Sequence, residues 1–317
     1  MQGTLILGAS GFLGPHLVAS AFAEAQALAT MADPFGPPVI AVGRRVEEAP
    51  RFTQPRNGAQ WENFDLQMAE ELPAAFDRWQ PSHVVLAAAM SRAAACEADP
   101  AAAEASNVVL PARIARICGE RGIRLVHLST DQVFGAQPPP RKGFAESEPV
   151  APVSVYGRTK AAGEAAVLEA YPQALVVRLP LLYGDSAGRG LGASDSLLEA
   201  VERDEKPALF TDEFRTPLEV RNAADAVVEL MLGNQTGRLH LAGPDRVSRL
   251  ELGLAILAAM GLPSEERARY VRPALRQEEQ ASAPRPADAS LDASRAARIL
   301  ETRLLGVRAG LERAIGA

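Results

Sequence analysis

The chain has 317 residues, 47% of them hydrophobic and 23% charged, proportions of an ordinary globular protein with ample chain for a sizeable core. A formal charge of −6 weighs against a nucleic-acid surface, and no apolar run approaches the roughly 18 residues of a membrane span. Cys96 and Cys118 are isolated and His16, His83, His127 and His240 form no cluster, which weighs against a metal centre and fits reduced thiols in a cytoplasmic protein.

The first strand is expected at Thr4–Leu7, close enough to Met1 to leave no room for a secretory leader. It runs into Gly8-Ala9-Ser10-Gly11-Phe12-Leu13-Gly14 and a helix over Pro15–Ala25. Strand, glycine turn and helix are what a phosphate-cradling loop requires. Glycines allow the tight turn and let a pyrophosphate approach backbone N–H groups at a positive helix terminus. The spacing is G-x-x-G-x-x-G rather than G-x-G-x-x-G. Gly8, Ser10, Gly11, Phe12, Leu13 and Gly14 are therefore candidate cofactor contacts.

A second strand, Val39–Val42, ends in Gly43-Arg44-Arg45. An acidic side chain there would hold a ribose 2′-hydroxyl, whereas arginines suit a 2′-phosphate; Arg44 and Arg45 thus favour NADP, with NAD as the alternative. Asp65 and Leu66, after a third short strand, are placed near the adenine edge. The fourth strand, Val84–Ala89, is wholly apolar, and the small Ala87 and Ala88 would let a cofactor come close. Asp99-Pro100 opens an alanine-rich helix containing Asn107, a candidate brace for the site. The fifth strand, Leu125–Leu128, delivers Ser129-Thr130-Asp131-Gln132 to the carboxyl edge of the sheet, where open α/β folds bind ligands. A proline-rich loop, Ala136–Val153, is a candidate substrate cover.

The helix from Tyr156 to about Ala170 carries the most pointed signal. Tyr156 and Lys160 are four residues apart and share one helical face. A neighbouring ammonium favours the phenolate and makes the phenol a usable proton donor near neutral pH. With four tyrosines and three lysines in 317 residues, chance supplies only about 0.04 such pairs. The other 30 basic residues are Arg, so a lysine retained at 160 points to a need for a compact ammonium.

A sixth strand, Leu175–Leu179, completes an alternation of strands and helices that predicts a doubly wound parallel α/β sheet (a Rossmann fold) over residues 1–179. Beyond Pro180 the rhythm breaks, and 180–317 is expected to form mainly a smaller substrate lobe, with parts of 217–242 returning to the first domain. Leu182 and Arg215 are candidate contacts to cofactor and to a substrate phosphate.

Gly8–Gly14, Ser129–Gly135 and Tyr156–Lys160, in this order, resemble the extended short-chain dehydrogenases/reductases. Phe144–Pro149, Gly163-Glu164, Arg285-Pro286 and Leu291-Asp292 bring the resemblance nearest to the dTDP-4-dehydrorhamnose reductase-like proteins. The resemblance implies NADP-dependent reduction of a carbonyl on a sugar-like, nucleotide-linked substrate. In it Tyr156 is the acid/base, Thr130 the hydroxyl residue, Lys160 the cofactor-ribose ligand and Asn107 the bracing asparagine. Ser91, Asp131 and Gln132 then belong to the sugar pocket. Two departures stand out: Gln132 replaces the usual Tyr, and Met90-Ser91 replaces a polar pair. The looser pattern is shared by regulatory subunits of methionine adenosyltransferase, which bind NADP as partners of another protein. An NAD-retaining epimerase is the other alternative, whereas the amide of Gln132 cannot serve as the base of a dehydratase. Flanking helices are compatible with a homodimer.

Overall fold

The computed structural model describes residues 3–29, 36–44, 59–186, 189–279 and 283–315. Strand β1 (Gly3–Leu7) leads through the glycine turn into α1 (Gly14–Ala27), and β2 (Val39–Gly43) and β3 (Gln60–Asn63) follow. The route from β2 to β3 includes residues 45–58, so Arg45 lies outside the described residues. Helix α2 (Leu72–Trp79) precedes β4 (Pro81–Leu86), and then come α3 (Ala93–Ala98), α4 (Pro100–Glu104), a π-turn (Ala105–Val109) and α5 (Leu110–Arg121). Next are β5 (Arg124–Thr130), α6 (Val155–Ala170) and β6 (Leu175–Leu179).

These strands, joined by the later β11, form one seven-stranded sheet in the order β11-β6-β5-β4-β1-β2-β3, with every pairing parallel. This is the doubly wound α/β architecture that the sequence pattern predicts. The strand order reverses between β1 and β4, which opens a crevice at their carboxyl ends. Alternate residues of each strand feed two cores. Ile6, Val85, Val126 and Val177 face α1 and α8, and Leu5, Leu7, Val84, Leu86 and Val176 face α2 and α5.

The second half contains β7 (Leu182–Tyr183), α7 (Ala193–Glu202), β8 (Ala208–Phe210), β9 (Phe214–Arg215), β10 (Leu218–Glu219) and α8 (Val220–Leu232). It continues with β11 (Gly237–His240), β12 (Val247–Ser248), α9 (Arg249–Ala259), α10 (Ser264–Tyr270), β13 (Arg272–Ala274), α11 (Ser294–Ile299) and α12 (Val307–Ile315). Strand β11 pairs with β6 at the sheet edge, and α8 packs on α1. Leu197, Leu252, Ile256, Leu257, Val271, Val307 and Leu311 build a separate core around Tyr183.

Two local departures from the sequence expectation bear on the site. The fourth strand stops at Leu86 rather than Ala89, because the N–H groups of Ala87 and Ala88 both turn onto the Leu7 carbonyl, at 2.8 and 2.9 Å. The helix expected from Pro100 is interrupted at Asn107. Pro111 has no N–H to donate to the carbonyl four residues back, which is that of Asn107. The backbone widens there, and the Leu110 N–H reaches the Ala105 carbonyl five residues away.

Candidate active site

A cleft of about 1150 Å³ runs along the carboxyl edge of the sheet at the switch point. Gly8, Ser10, Gly11, Phe12, Leu13 and Gly14 line one end, and Arg44, Asp65 and Leu66 line the side at β2 and β3. Ala87, Ala88 and Ser91 follow from β4, and Thr130, Tyr156, Lys160 and Leu182 close the other end.

The glycine turn has the form a dinucleotide cradle needs. Gly8 has φ +92°, and a β-carbon there would lie 2.5 Å from the Ala88 nitrogen. The ends of β1 and β4 thus stand bare backbone against bare backbone. A β-carbon at Gly14 would lie 2.4 Å from the Ala9 carbonyl oxygen, so glycine also lets α1 begin directly on the turn. Arg44 is exposed on the cleft wall at the end of β2.

Helix α6 begins where Ser154 accepts the Gly157 N–H at 3.1 Å and Glu97 accepts the Val155 N–H at 2.7 Å. That start brings Tyr156 into the same cleft lining as Thr130 at the end of β5. Burial pushes the phenol well above its ordinary pKa; the nearby Thr130 hydroxyl opposes this, and Asp131 and Cys96 add to it. The expectation that Lys160 promotes the Tyr156 phenolate is therefore corrected. The Lys160 ammonium donates to the Leu128 carbonyl at 2.7 Å and lies 3.5 Å from Nε2 of His127. Burial lowers Lys160 to about 8, against the opposing pull of Glu164.

Asn107 is fully buried and does not line the cleft. Its amide oxygen accepts the Met90 N–H at 2.9 Å, while Nδ2 donates to the Met90 carbonyl and to Thr159 Oγ1, both at 3.1 Å. It ties the loop after β4 to the helix of Tyr156 and acts as a brace rather than a contact.

Three expected substrate contacts lie elsewhere. Asp131 and Gln132 sit in the short helical turn after β5, outside the cleft lining. Arg215 is buried, and its guanidinium bonds the Phe214 and Pro286 carbonyls and pairs with Asp131 and Glu213, each at 3.4 Å. A guanidinium so engaged is spent on structure.

The sequence reading also missed two arrangements. Arg189, from the segment after β7, donates to the carbonyls of Ser10 and Gly11 at 2.9 and 3.3 Å, pinning the glycine turn from the second half of the chain. Beneath the site, Glu164 accepts from Ser129 at 2.6 Å and from Arg178 at 2.8 and 2.7 Å, and Arg178 reaches His240 at 3.1 Å. Only the unusual charge in the middle of the apolar run Leu175–Leu179 signals the second. Nothing in the periodicity signals the first. Among the described residues no group of three or more His, Cys, Asp or Glu is placed to hold a metal, and no helix is long and apolar enough to cross a membrane.

The family model described as RmlD substrate binding domain matches residues 1–317. The chain is 31% identical over 292 residues to a dTDP-4-dehydrorhamnose reductase of Mycobacterium tuberculosis, covering 90% of this chain and 82% of that one. It is also 31% identical over 254 residues to methionine adenosyltransferase 2 subunit beta of Rattus norvegicus, covering 78% and 72%. The fold matches the crystal structure of dTDP-4-dehydrorhamnose reductase from Bacillus anthracis in complex with NADP, with a TM-score of 0.77 over 99% of both chains at 20% identity. The chain belongs to the RmlD family, the dTDP-4-dehydrorhamnose reductase-like branch of the extended short-chain dehydrogenases/reductases.

Proposed function

We propose that the protein is an NADP-dependent reductase acting on a carbonyl of a nucleotide-linked sugar. The observation that carries this reading is that the Tyr156 phenol, the Thr130 hydroxyl and Lys160 line the same cleft as the Gly8–Gly14 cradle. The cradle, the small Ala87 and Ala88 and the exposed Arg44 suit a dinucleotide bearing a 2′-phosphate. Bound there, the reduced nicotinamide supplies a hydride to a carbonyl carbon.

The chain's own residues hold and move the proton. Burial keeps the Tyr156 phenol protonated throughout the physiological range, so it is a donor at rest. As negative charge develops on the carbonyl oxygen, the phenol gives it a proton and the Thr130 hydroxyl steadies the same oxygen. The buried Lys160 ammonium, which lines the same cleft, would hold the cofactor ribose. Asn107 keeps Met90 and α6 at fixed separation, so that the cleft wall and the phenol stay in register.

The test is NADPH oxidation with a panel of nucleotide-linked keto-sugars, dTDP-4-dehydrorhamnose among them. Tyr156→Phe is expected to abolish turnover and leave NADPH affinity nearly unchanged. Retention of more than a few per cent of activity would refute the assignment.

The resemblance to methionine adenosyltransferase 2 subunit beta supports a second reading, a cofactor-binding subunit of another enzyme. Isolation of a stable complex with a second protein, together with no NADPH oxidation by any keto-sugar, would favour it.

A further inference from the structure

Thr130 and Asp131 adjoin at the end of β5, and the hydrogen bonds around them can be counted. The Thr130 hydroxyl has one hydrogen and two lone pairs. The Gln132 N–H, which can only donate, takes one lone pair at 3.2 Å. Oδ1 of Asp131 lies 3.1 Å away, and the third neighbour is the Tyr156 phenol. An ionised Asp131 accepts only, so the Thr130 hydrogen goes to Asp131. That hydrogen then runs away from the cleft. A protonated Asp131 reverses the bond. Its own hydrogen and the Gln132 N–H occupy both lone pairs of Thr130, and the Thr130 hydrogen turns to the cleft.

Asp131 is built to hold either state. Its side chain is 3% exposed, and Oδ2 has no hydrogen-bond partner. Arg215, from β9, faces Oδ2 at 3.4 Å but is shared with Glu213 and with the Phe214 and Pro286 carbonyls. Glu213 repels the carboxylate, Arg249 of α9 adds a favourable charge, and Tyr156 faces it from α6. Burial dominates, opposed by Arg215, Thr130 and the Gln132 N–H, and the carboxyl rises to about 6.

We propose that Asp131 is a positioning residue that sets the direction of the Thr130 hydroxyl, its acid form aiming that hydrogen at the cleft and its carboxylate form turning it away. The proposal rests on Thr130 steadying the substrate oxygen that Tyr156 protonates. The acid form supports carbonyl reduction, and the carboxylate form slows it.

The experiment is kcat for NADPH oxidation with dTDP-4-dehydrorhamnose, or with whichever keto-sugar of the panel is turned over, from pH 5 to 9. The wild type is expected to lose about tenfold in kcat between pH 6 and 7.5. A second limb, from Lys160, falls near 8. In Asp131→Asn the amide does not titrate and can donate to Thr130, so the lower limb vanishes and the limb near 8 remains. Arg215→Gln removes the cation facing Asp131 and moves the lower limb to higher pH. A purely structural role for Asp131 would alter stability without moving either limb. A wild-type kcat that is level from pH 5.5 to 7.5, or a lower limb unmoved in both variants, overturns the proposal while the reductase stands. More than a few per cent of activity in Tyr156→Phe, or no turnover of any keto-sugar by the wild type, removes the reading proposed above and this inference with it.

Discussion

A β-carbon at residue 163 would lie 2.0 Å from the carbonyl oxygen of Asn107, so α6 and the π-turn meet backbone to backbone. The carbonyl is available for that contact because Pro111 cannot bond to it. The same residue's amide spans Met90 and Thr159, so the spacing of the whole catalytic wall depends on the contact. Gly163→Ala is expected to destabilise the protein by about 1–3 kcal/mol, as an overpacked interior does. Because the π-turn must move, kcat is expected to fall while the KM for NADPH changes little. Thermal unfolding and steady-state kinetics on one preparation check both.

Lys160 is buried, and its folded pKa of about 8 lies below its ordinary value. A depressed lysine weakens the folded state at every pH below the folded value. The penalty fades as pH rises from about 8 towards 10.5, where the unfolded chain also releases its proton. Lys160→Met is therefore expected to abolish turnover and yet raise stability at pH 7 by about 1–2 kcal/mol. Chemical denaturation at pH 7 and pH 10 tests this; a stabilisation as large at pH 10 as at pH 7 would contradict the account.

Arg178 and Glu164 form a charge pair 2.7 Å apart, each side chain 1% exposed. Burial alone would raise the Glu164 carboxyl, but the bonds and charge of Arg178, with Ser129 and Arg238, hold it below its ordinary value. Arg178→Met leaves that carboxylate with only Ser129 and the half-exposed Arg238 and is expected to cost about 3 kcal/mol at pH 7. A carboxyl lowered by folding gives stability that is present above its unfolded value and lost as pH falls through the folded one. The difference between variant and wild type should accordingly narrow below about pH 4, as denaturant titrations across pH would show.

Arg44 stands exposed on the cleft wall at the end of β2, where a 2′-phosphate would be read. Arg44→Ala is expected to raise the KM for NADPH by about tenfold while leaving that for NADH nearly unchanged. Kinetics with both cofactors decide it, and equal losses with the two would remove the phosphate role.

Some of this was written locally in the chain. Glycines 8, 11 and 14 after a strand, the Tyr156–Lys160 spacing and the hydrophobic runs of six strands each depend on residues a few positions apart, where backbone geometry fixes the outcome. So does the release of the Asn107 carbonyl, which follows from Pro111 four residues on. The partners of Lys160, Arg215 and Asp131 had no such signature. Lys160 bonds a carbonyl 32 residues back, and Arg215 meets Pro286 71 residues on. A charged side chain bonds whichever opposite charge or carbonyl the packing brings within 3 Å or so, and periodicity carries no record of that choice. Sequence thus determined which groups could do the chemistry, and tertiary packing decided which of them face the cleft, which brace it, and which carboxyl stands behind the phenol.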